Sequence, residues 1–289
     1  MDIVKEEIMV MTKRCNVKET HDIIDTLIKN NETIFKADIV DRRGKALDSD
    51  LLYSEVIAKR LLTKHHFIET LQSQVKHLKG TKYGIAPHDG TTLNPTLFGL
   101  GEQERVSIAL YNRKDLGSLG TAIDYLVPIN SRDTNLPLGS IDLVSYNKEE
   151  SALYVTNYLY NEEKKVTLLQ SSLEIITLKE TLNENSFIAN YLPYIREIDK
   201  DVPFEEINVV PALLFFEGSY QDRSLTRLHE MPHVVDILES TGLVISILAT
   251  HLMIIDDIEF TSPSSVYPYR PQIFYQPRIQ RRVIDLEDL

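Results

Sequence analysis

Three strand-like segments follow one another closely in the middle of the chain, and they constrain the fold more than any other feature. Residues 120–129, 139–146 and 151–160 are rich in β-branched and aromatic side chains, with turn-forming residues between them. Strands joined by such short connections usually pair as antiparallel neighbours. The sequence therefore predicts a three-stranded antiparallel meander.

Helix and strand patterns alternate around this meander. Residues 101–113 and 164–182 are helix patterns, and residues 232–242 form a third with Pro at the start and Gly after the end. The apolar runs 207–218 and 243–249 are typical of buried strands. Helical crossovers would add both strands to the same sheet. We therefore predict an α/β fold with a mixed β-sheet flanked by helices.

The two ends of the chain differ from this core. A helical pattern covers residues 19–30, and a longer one begins at Ser49 or Asp50, either of which would cap it, and continues to about Leu78. Gly, Pro, Thr and Asn are frequent in residues 80–100, which is typical of a linker. We predict a helical N-terminal region with its linker, an α/β core and a Pro/Tyr/Arg-rich C-terminal tail. The boundaries are residues 1–100, 101–260 and 261–289.

The composition predicts a cytoplasmic globular protein. The 289 residues include 31 Lys and Arg against 43 Asp and Glu, which gives a net charge of −12. The single cysteine, Cys15, excludes an internal disulfide and fits a reducing compartment. No apolar run reaches the roughly 18 residues of a membrane-spanning helix, so we expect no membrane contact.

Two basic stretches depart from this acidic average. In residues 59–82 only Glu69 opposes the positive charges, so this stretch predicts a surface that contacts nucleic-acid phosphates, with a solvated helix face as the alternative. In the tail, Arg alternates with Tyr, Phe and Pro, a mixture that stacks on bases or fills a protein groove. We favour a partner contact or packing across a homodimer for the tail. The candidate nucleic-acid-binding residues are Lys59, Arg60, Lys64, Lys76, Lys79 and Lys82.

A carboxylate inside the second strand, Asp142, indicates a candidate metal site, and a turn or strand-edge acid bonded to backbone is the equally weighted alternative. Two neighbouring strands that each carry a carboxylate can hold Mg²⁺ between them, and the metal then activates water against a phosphodiester. A lysine two positions after the second carboxylate would point to the same face of the sheet. In the third strand these two positions hold Asn157 and Leu159.

These segments resemble the PD-(D/E)xK nuclease superfamily, which has the restriction-endonuclease-like fold. "GSIDLVSY" carries the first motif acid, Asp142, and "ALYVTNYL" carries the E-x-K position, where Asn157 replaces Glu and Leu159 replaces Lys. The resemblance covers roughly residues 101–250 and implies a restriction-endonuclease-like core. It also implies Glu104 on the preceding helix and Gln170 on the following helix as site residues, and a context of DNA metabolism or phage defence.

The missing Glu and Lys decide the predicted function. Leucine can neither stabilise a phosphate transition state nor hold a water, so we predict a catalytically degenerate nuclease-like protein that binds nucleic acid or a protein partner. One alternative is an active nuclease with Mg²⁺ or Mn²⁺ at Asp142 and migrated catalytic residues; otherwise no cofactor is expected. A second alternative is a purely structural or assembly protein. The migrated residues would be Glu162 or Glu163 with Lys164 or Lys165.

Two further patterns receive structural interpretations. Asp124 in the first strand either joins Asp142 or is capped by Arg132 in the following loop, and we predict a structural pairing. The sequence "HEMPH" at residues 229–233 formally matches the H-E-x-x-H zinc-protease pattern. That chemistry needs one continuous helix, whereas Pro232 predicts a helix start, so we interpret the match as accidental.

Overall fold

In the computed structural model, seven strands in the described part of the chain form one mixed β-sheet, and their order in space follows their order in the sequence. The structure describes residues 14–30, 32–67, 69–71, 82–83, 88, 102–130, 137–159, 166–216, 218–249 and 278–282. The strands are β1 (Lys82–Tyr83), β2 (Thr121–Asn130), β3 (Pro137–Asn147), β4 (Ala152–Leu159), β5 (Asn208–Phe216), β6 (Val244–Ala249) and β7 (Arg278–Arg282).

The strand directions follow from the lengths of the connections. β2, β3 and β4 are joined by short connections and pair antiparallel, as the sequence predicts. β4, β5 and β6 are separated by helices and pair parallel, because a parallel neighbour can be reached only through a long crossover. β1 and β7 lie antiparallel at the two edges. The predicted α/β architecture with a mixed sheet is confirmed.

Helices precede the sheet and connect its parallel strands. They are α1 (Val17–Lys29), α2 (Tyr53–His65), α3 (Glu102–Arg113), α4 (Leu168–Thr181), α5 (Glu184–Ile198), α6 (Tyr220–Leu225) and α7 (Pro232–Ser240). α5 and the short α6 were not predicted. No helix in the described part of the chain is both long and apolar enough to cross a membrane.

The first helix has the start that its sequence encodes. The Glu19 N–H donates to the Asn16 side chain (2.7 Å) and the Asn16 N–H donates to the Glu19 carboxylate (3.0 Å). This reciprocal capping box satisfies two of the N–H groups that a helix start leaves without partners. The prediction of a helix over residues 19–30 is confirmed, with the start at Val17.

The second helix differs from its prediction at both ends. It begins after Leu52 and not at Ser49 or Asp50. The Asp50 carboxylate pairs with Lys45 at 3.0 Å, and the Ser49 hydroxyl accepts the Leu51 N–H at 3.1 Å, so both side chains belong to the preceding turn. The helix ends at His65 because the next residue has a left-handed backbone. Phe67 and residues 69–71 are helical again, and residues 72–78 of the predicted continuation lie outside the described residues.

Both faces of the sheet are covered. The larger hydrophobic cluster joins the N-terminal helices α1 and α2 with α4, α5, α7 and one set of strand residues. The smaller cluster joins α3 with residues such as Tyr154, Tyr158 and Phe216. Most strand residues are buried between these clusters, so a charged or amide side chain among them needs a partner inside the protein.

The predicted tail contributes an edge strand. Residues 278–282 form β7, which runs from Arg278 opposite Ala249 to Arg282 opposite Ile245. Nothing in the local sequence pattern indicated a strand there. Its backbone pairs within this chain, and the rest of the tail lies outside the described residues, so the predicted homodimer through the tail stays a prediction.

A glycine before β2 allows a close approach of two backbone segments. Gly120 has φ +77° and ψ −144°, a conformation essentially restricted to glycine. A Cβ atom at this position would overlap the carbonyl oxygen of Tyr146 in β3.

We expect Gly120→Ala to destabilise the protein far more than Gly242→Ala. Gly242 also has a positive φ, +62°, but no atom lies within 4 Å of the place that a Cβ would occupy there. Gly242→Ala, the control, should lose about 1–2 kcal/mol of unfolding free energy from backbone strain alone. Gly120→Ala should lose roughly 3 kcal/mol or more, because the sheet must also move. Urea unfolding measures both, and equal losses would contradict the crowding argument.

Candidate functional site

Asp142 lies in β3 at the point where its backbone pairing with β4 ends. The last paired residues of this ladder are Leu143 and Thr156. The Asp142 side chain is only 4 % exposed, and its Oδ2 accepts the backbone N–H of Tyr158 at 3.1 Å. The carboxylate therefore supplies an acceptor where the ladder no longer provides one.

Asn157 completes the same junction from the other strand. Its Oδ1 accepts the Asp142 N–H at 3.3 Å, so each side chain bonds to backbone of the opposite strand. With the amide turned over, its nitrogen donates to the carbonyl oxygens of Ser140 and Thr156, both at 3.3 Å. In either orientation Asn157 bonds to strand backbone. The structure thus brings together the two residues that the sequence placed at the candidate metal site.

The surroundings of this pair are those of a structural junction. Leu159, at the position where the resemblance would have lysine, packs against the larger hydrophobic cluster. A hard cation needs several oxygen ligands directed at one point. Within the described ranges, no group of three or more His, Cys, Asp or Glu side chains is arranged to hold a metal ion.

The other residues implied by the resemblance are only partly described. Glu104 lies in α3. Gln170, in the first turn of α4, donates from its amide nitrogen to the Phe35 carbonyl oxygen at 3.1 Å, and so joins α4 to the N-terminal region. Residues 162–165, the predicted migrated residues, lie outside the described ranges.

The basic stretch is partly neutralised within the protein. The Nε and Nη2 atoms of Arg60 both donate to the Asp25 carboxylate, at 2.9 and 2.6 Å respectively. Lys64 contacts the same carboxylate, and His65 Nε2 lies 2.7 Å from its Oδ1. These partners, Arg60 first, hold the pKa of Asp25 well below its usual range. Sequence spacing did not indicate this pairing, since Asp25 lies on α1.

The other lysines of residues 59–82 lie only partly within the described residues. Lys59 is exposed on α2. Lys76 and Lys79 lie outside the described residues, and Lys82 is described only as a residue of β1. A continuous basic surface over residues 59–82 therefore stays a prediction.

Asp124 is bonded to its surroundings through both carboxylate oxygens. It is 2 % exposed, and Oδ2 accepts the Tyr191 hydroxyl at 2.6 Å while Oδ1 lies 2.5 Å from Nδ1 of His88. The predicted structural role is confirmed, with partners that the sequence did not reveal. The His88 ring also lies 4.3 Å, centroid to centroid, from that of Tyr125. The cluster therefore anchors residue 88 to the sheet.

The "HEMPH" segment is not a zinc helix. Pro232 occupies the first turn of α7, as predicted, and His229 lies before it in a 3₁₀ turn. The buried carboxylate of Glu55, which is 2 % exposed, instead binds His233. It accepts the His233 N–H at 3.0 Å and lies 2.5 Å from the ring Nδ1. Glu55 thus caps α7 from another helix.

Comparisons of the chain with protein-family models, with curated proteins and with solved structures find no match.

Replacing Asp142 by Ala should destabilise the fold, because the buried Tyr158 N–H loses its acceptor. We expect a loss of about 1–3 kcal/mol in the free energy of unfolding. Asp115→Ala is the matched control, since the exposed Asp115 carboxylate also accepts one backbone N–H, that of Gly117 at 2.8 Å. Water can replace that acceptor, so urea unfolding should show a clearly smaller loss of unfolding free energy for Asp115→Ala. If Asp142→Ala loses no more unfolding free energy than Asp115→Ala, the structural role of Asp142 is contradicted.

Replacing Asp25 by Asn should reduce stability in a pH-dependent way. The ion pairs lower the pKa of folded Asp25 below the ordinary value of 3.8. Their contribution is therefore present above that value and is lost as the pH falls towards the lower folded pKa. We expect Asp25→Asn to lose about 1 kcal/mol at neutral pH, with a shrinking difference below about pH 4.

Urea unfolding across this pH range, with the exposed Asp22→Asn as control, measures the effect. Asp22 lies on the same helix, so helix propensity and charge change in the same way. A difference between wild type and Asp25→Asn that stays constant down to low pH would contradict the ion-pair interpretation.

Proposed function

We propose that this chain is a nuclease-like protein of the PD-(D/E)xK type that acts by binding and does not hydrolyse phosphodiesters. The observation that carries the proposal is the junction between β3 and β4. There Asp142 and Asn157 bond to strand backbone, and Leu159 packs against the larger hydrophobic cluster.

The order of the elements supports the restriction-endonuclease-like part of the proposal. The resemblance rested on the order helix, three strands, helix, strand. The structure has α3, β2, β3, β4, α4 and β5 in this order, with α5 as an addition before β5. Element order is shared by unrelated functions, so it supports a fold type and not an activity.

The chemistry of the junction supports the loss of catalysis. Metal-assisted hydrolysis needs a cation that polarises the phosphate and a group that positions the attacking water. The motif positions provide one carboxylate, one amide and one aliphatic side chain. The amide is a weak ligand for Mg²⁺, and the aliphatic side chain has no polar atom for water or phosphate.

The charge of the protein affects whether it can bind nucleic acid. A net charge of −12 opposes binding to nucleic acid through charge alone. The ion pairs of Arg60 and Lys64 with Asp25 remove further positive charge from the predicted phosphate-facing surface. Nucleic acid and a protein partner both remain in the proposal, within the DNA-related context that the resemblance implies.

We expect the wild-type protein to show no heat of Mn²⁺ or Mg²⁺ binding and to leave plasmid DNA intact. Isothermal calorimetry and plasmid cleavage on the same samples measure this. Asn157→Glu returns a carboxylate to the motif position, so this variant should be less stable without metal and should gain thermal stability with Mn²⁺. Asn157→Gln is the control, since it has the same size without the charge and should not respond to Mn²⁺.

Cleavage by the wild type would contradict the proposal if Asp142→Asn abolished it. This variant keeps an oxygen acceptor for the Tyr158 N–H, so it separates a lost metal ligand from a lost fold. The result would make the chain an active nuclease with migrated residues, and residues 162–165 would be the next to replace.

Fluorescence anisotropy with duplex DNA separates the two kinds of binding. Affinity that falls steeply with salt, and that weakens in Lys59→Gln, supports nucleic acid. No binding at low salt leaves the protein-partner form of the proposal.

A further inference from the structure

An arginine-rich cavity lies between the N-terminal region and the α/β core. Its walls come from residues 42–44, the start of α2, the start of α4, and α6 with the turn that follows it. Its volume is about 50 Å³, where one water needs about 10–15 Å³ on the same scale. The cavity therefore has room for a small polar group, but not for a nucleotide.

The charge of this cavity is positive. Arg42, Arg43 and Arg227 line it, and no acidic side chain is among its described lining residues. The nearby Glu230 carboxylate is engaged by Arg227 through two hydrogen bonds, of 2.9 and 2.8 Å. The Asp41 carboxylate accepts the N–H of Thr167 at 2.9 Å. The Asp41 carboxylate also interacts electrostatically with Arg43, so the three guanidinium groups outnumber the two neighbouring acids.

The three arginines differ in how firmly they are engaged. Arg42 donates to the Cys15 sulfur at 2.8 Å, and Arg227 is paired with Glu230. Arg43 is exposed, and its guanidinium lies 6.0 Å from the ring centroid of Tyr220 at the cavity. In the described part of the chain, Arg43 forms no ion pair. It is therefore the arginine with the most hydrogen-bond capacity for a ligand.

The start of α2 also borders the cavity; the Tyr53 N–H donates to the Gly44 carbonyl oxygen at 3.0 Å, and the first turn carries the Glu55 carboxylate. The cap residue, Leu52, provides no side-chain hydrogen bond to the first turn, and both Leu52 and Ser54 line the cavity. The first N–H groups of a helix carry partial positive charge and bind anions. Ser54 and Tyr220, which carry hydroxyl groups, are among the lining residues.

We propose that this cavity binds a phosphate group. Guanidinium groups match the oxygens of phosphate in paired hydrogen bonds, and a tetrahedral dianion can accept from several arginines together. The volume admits the phosphate alone, so the remainder of a phosphate monoester would lie at the opening near Tyr220. The inference goes beyond the proposed function, because it involves neither Asp142 nor Asn157.

Calorimetry at low ionic strength tests the site with three probes: inorganic phosphate, adenosine 5′-monophosphate and adenosine. We expect the two phosphates to bind and adenosine not to bind. Arg43→Gln should weaken phosphate binding by about tenfold or more, the usual size of a lost charge-assisted hydrogen bond. Arg196→Gln, an exposed arginine in the last turn of α5, is the matched control and should bind as the wild type does.

Thermal unfolding of both variants shows that they are folded before binding is compared. Tighter binding of the monophosphate identifies a monoester as the ligand, and equal binding identifies free phosphate; both support the site. Absence of binding by both phosphates at millimolar concentration overturns the proposal. The proposal is also overturned if adenosine binds as tightly as its monophosphate. It is overturned as well if Arg43→Gln and Arg196→Gln lose phosphate affinity equally.

Discussion

The covering of the sheet on both faces is the constraint on which the other features depend. Most strand residues are buried, so a charged or amide side chain placed among them needs a partner inside the protein. Asp142 and Asn157 meet this requirement where the β3–β4 ladder ends, and Asp124 meets it through Tyr191 and His88. Acids that resemble catalytic residues in the sequence thus have a physical reason to be present without catalysis.

Hydrogen bonds of buried polar groups also join the N-terminal region to the core. Glu55 of α2 caps α7 through the His233 N–H, and the hydroxyl of Thr167, at the start of α4, donates to the Val40 carbonyl oxygen at 2.9 Å. Hydrophobic residues of α1 and α2 belong to the same cluster as those of α4 and α7. The arginine-rich cavity exists because these two parts meet, and it lies at their junction.

A structural junction and a metal site make opposite demands on the same position. A metal ligand must direct its lone pairs into a space that other oxygens also reach, whereas a junction residue must direct them at strand N–H groups. Asp142 meets the second demand through Tyr158. The proposed loss of catalysis is therefore compatible with an acid that the fold still needs for stability.

The sequence by itself determined the types and order of most elements, because helix and strand patterns depend on residues close along the chain. It did not reveal α5, where Pro193 interrupts an apolar pattern, or β7, whose pairing is supplied by β6. The partners of Asp142, Asp25 and Glu55 were decided only by the tertiary structure, since Tyr158, Arg60 and His233 lie 16, 35 and 178 residues away. Local preferences fix the shape of a segment, but hydrogen-bond partners and cavities depend on how distant segments pack.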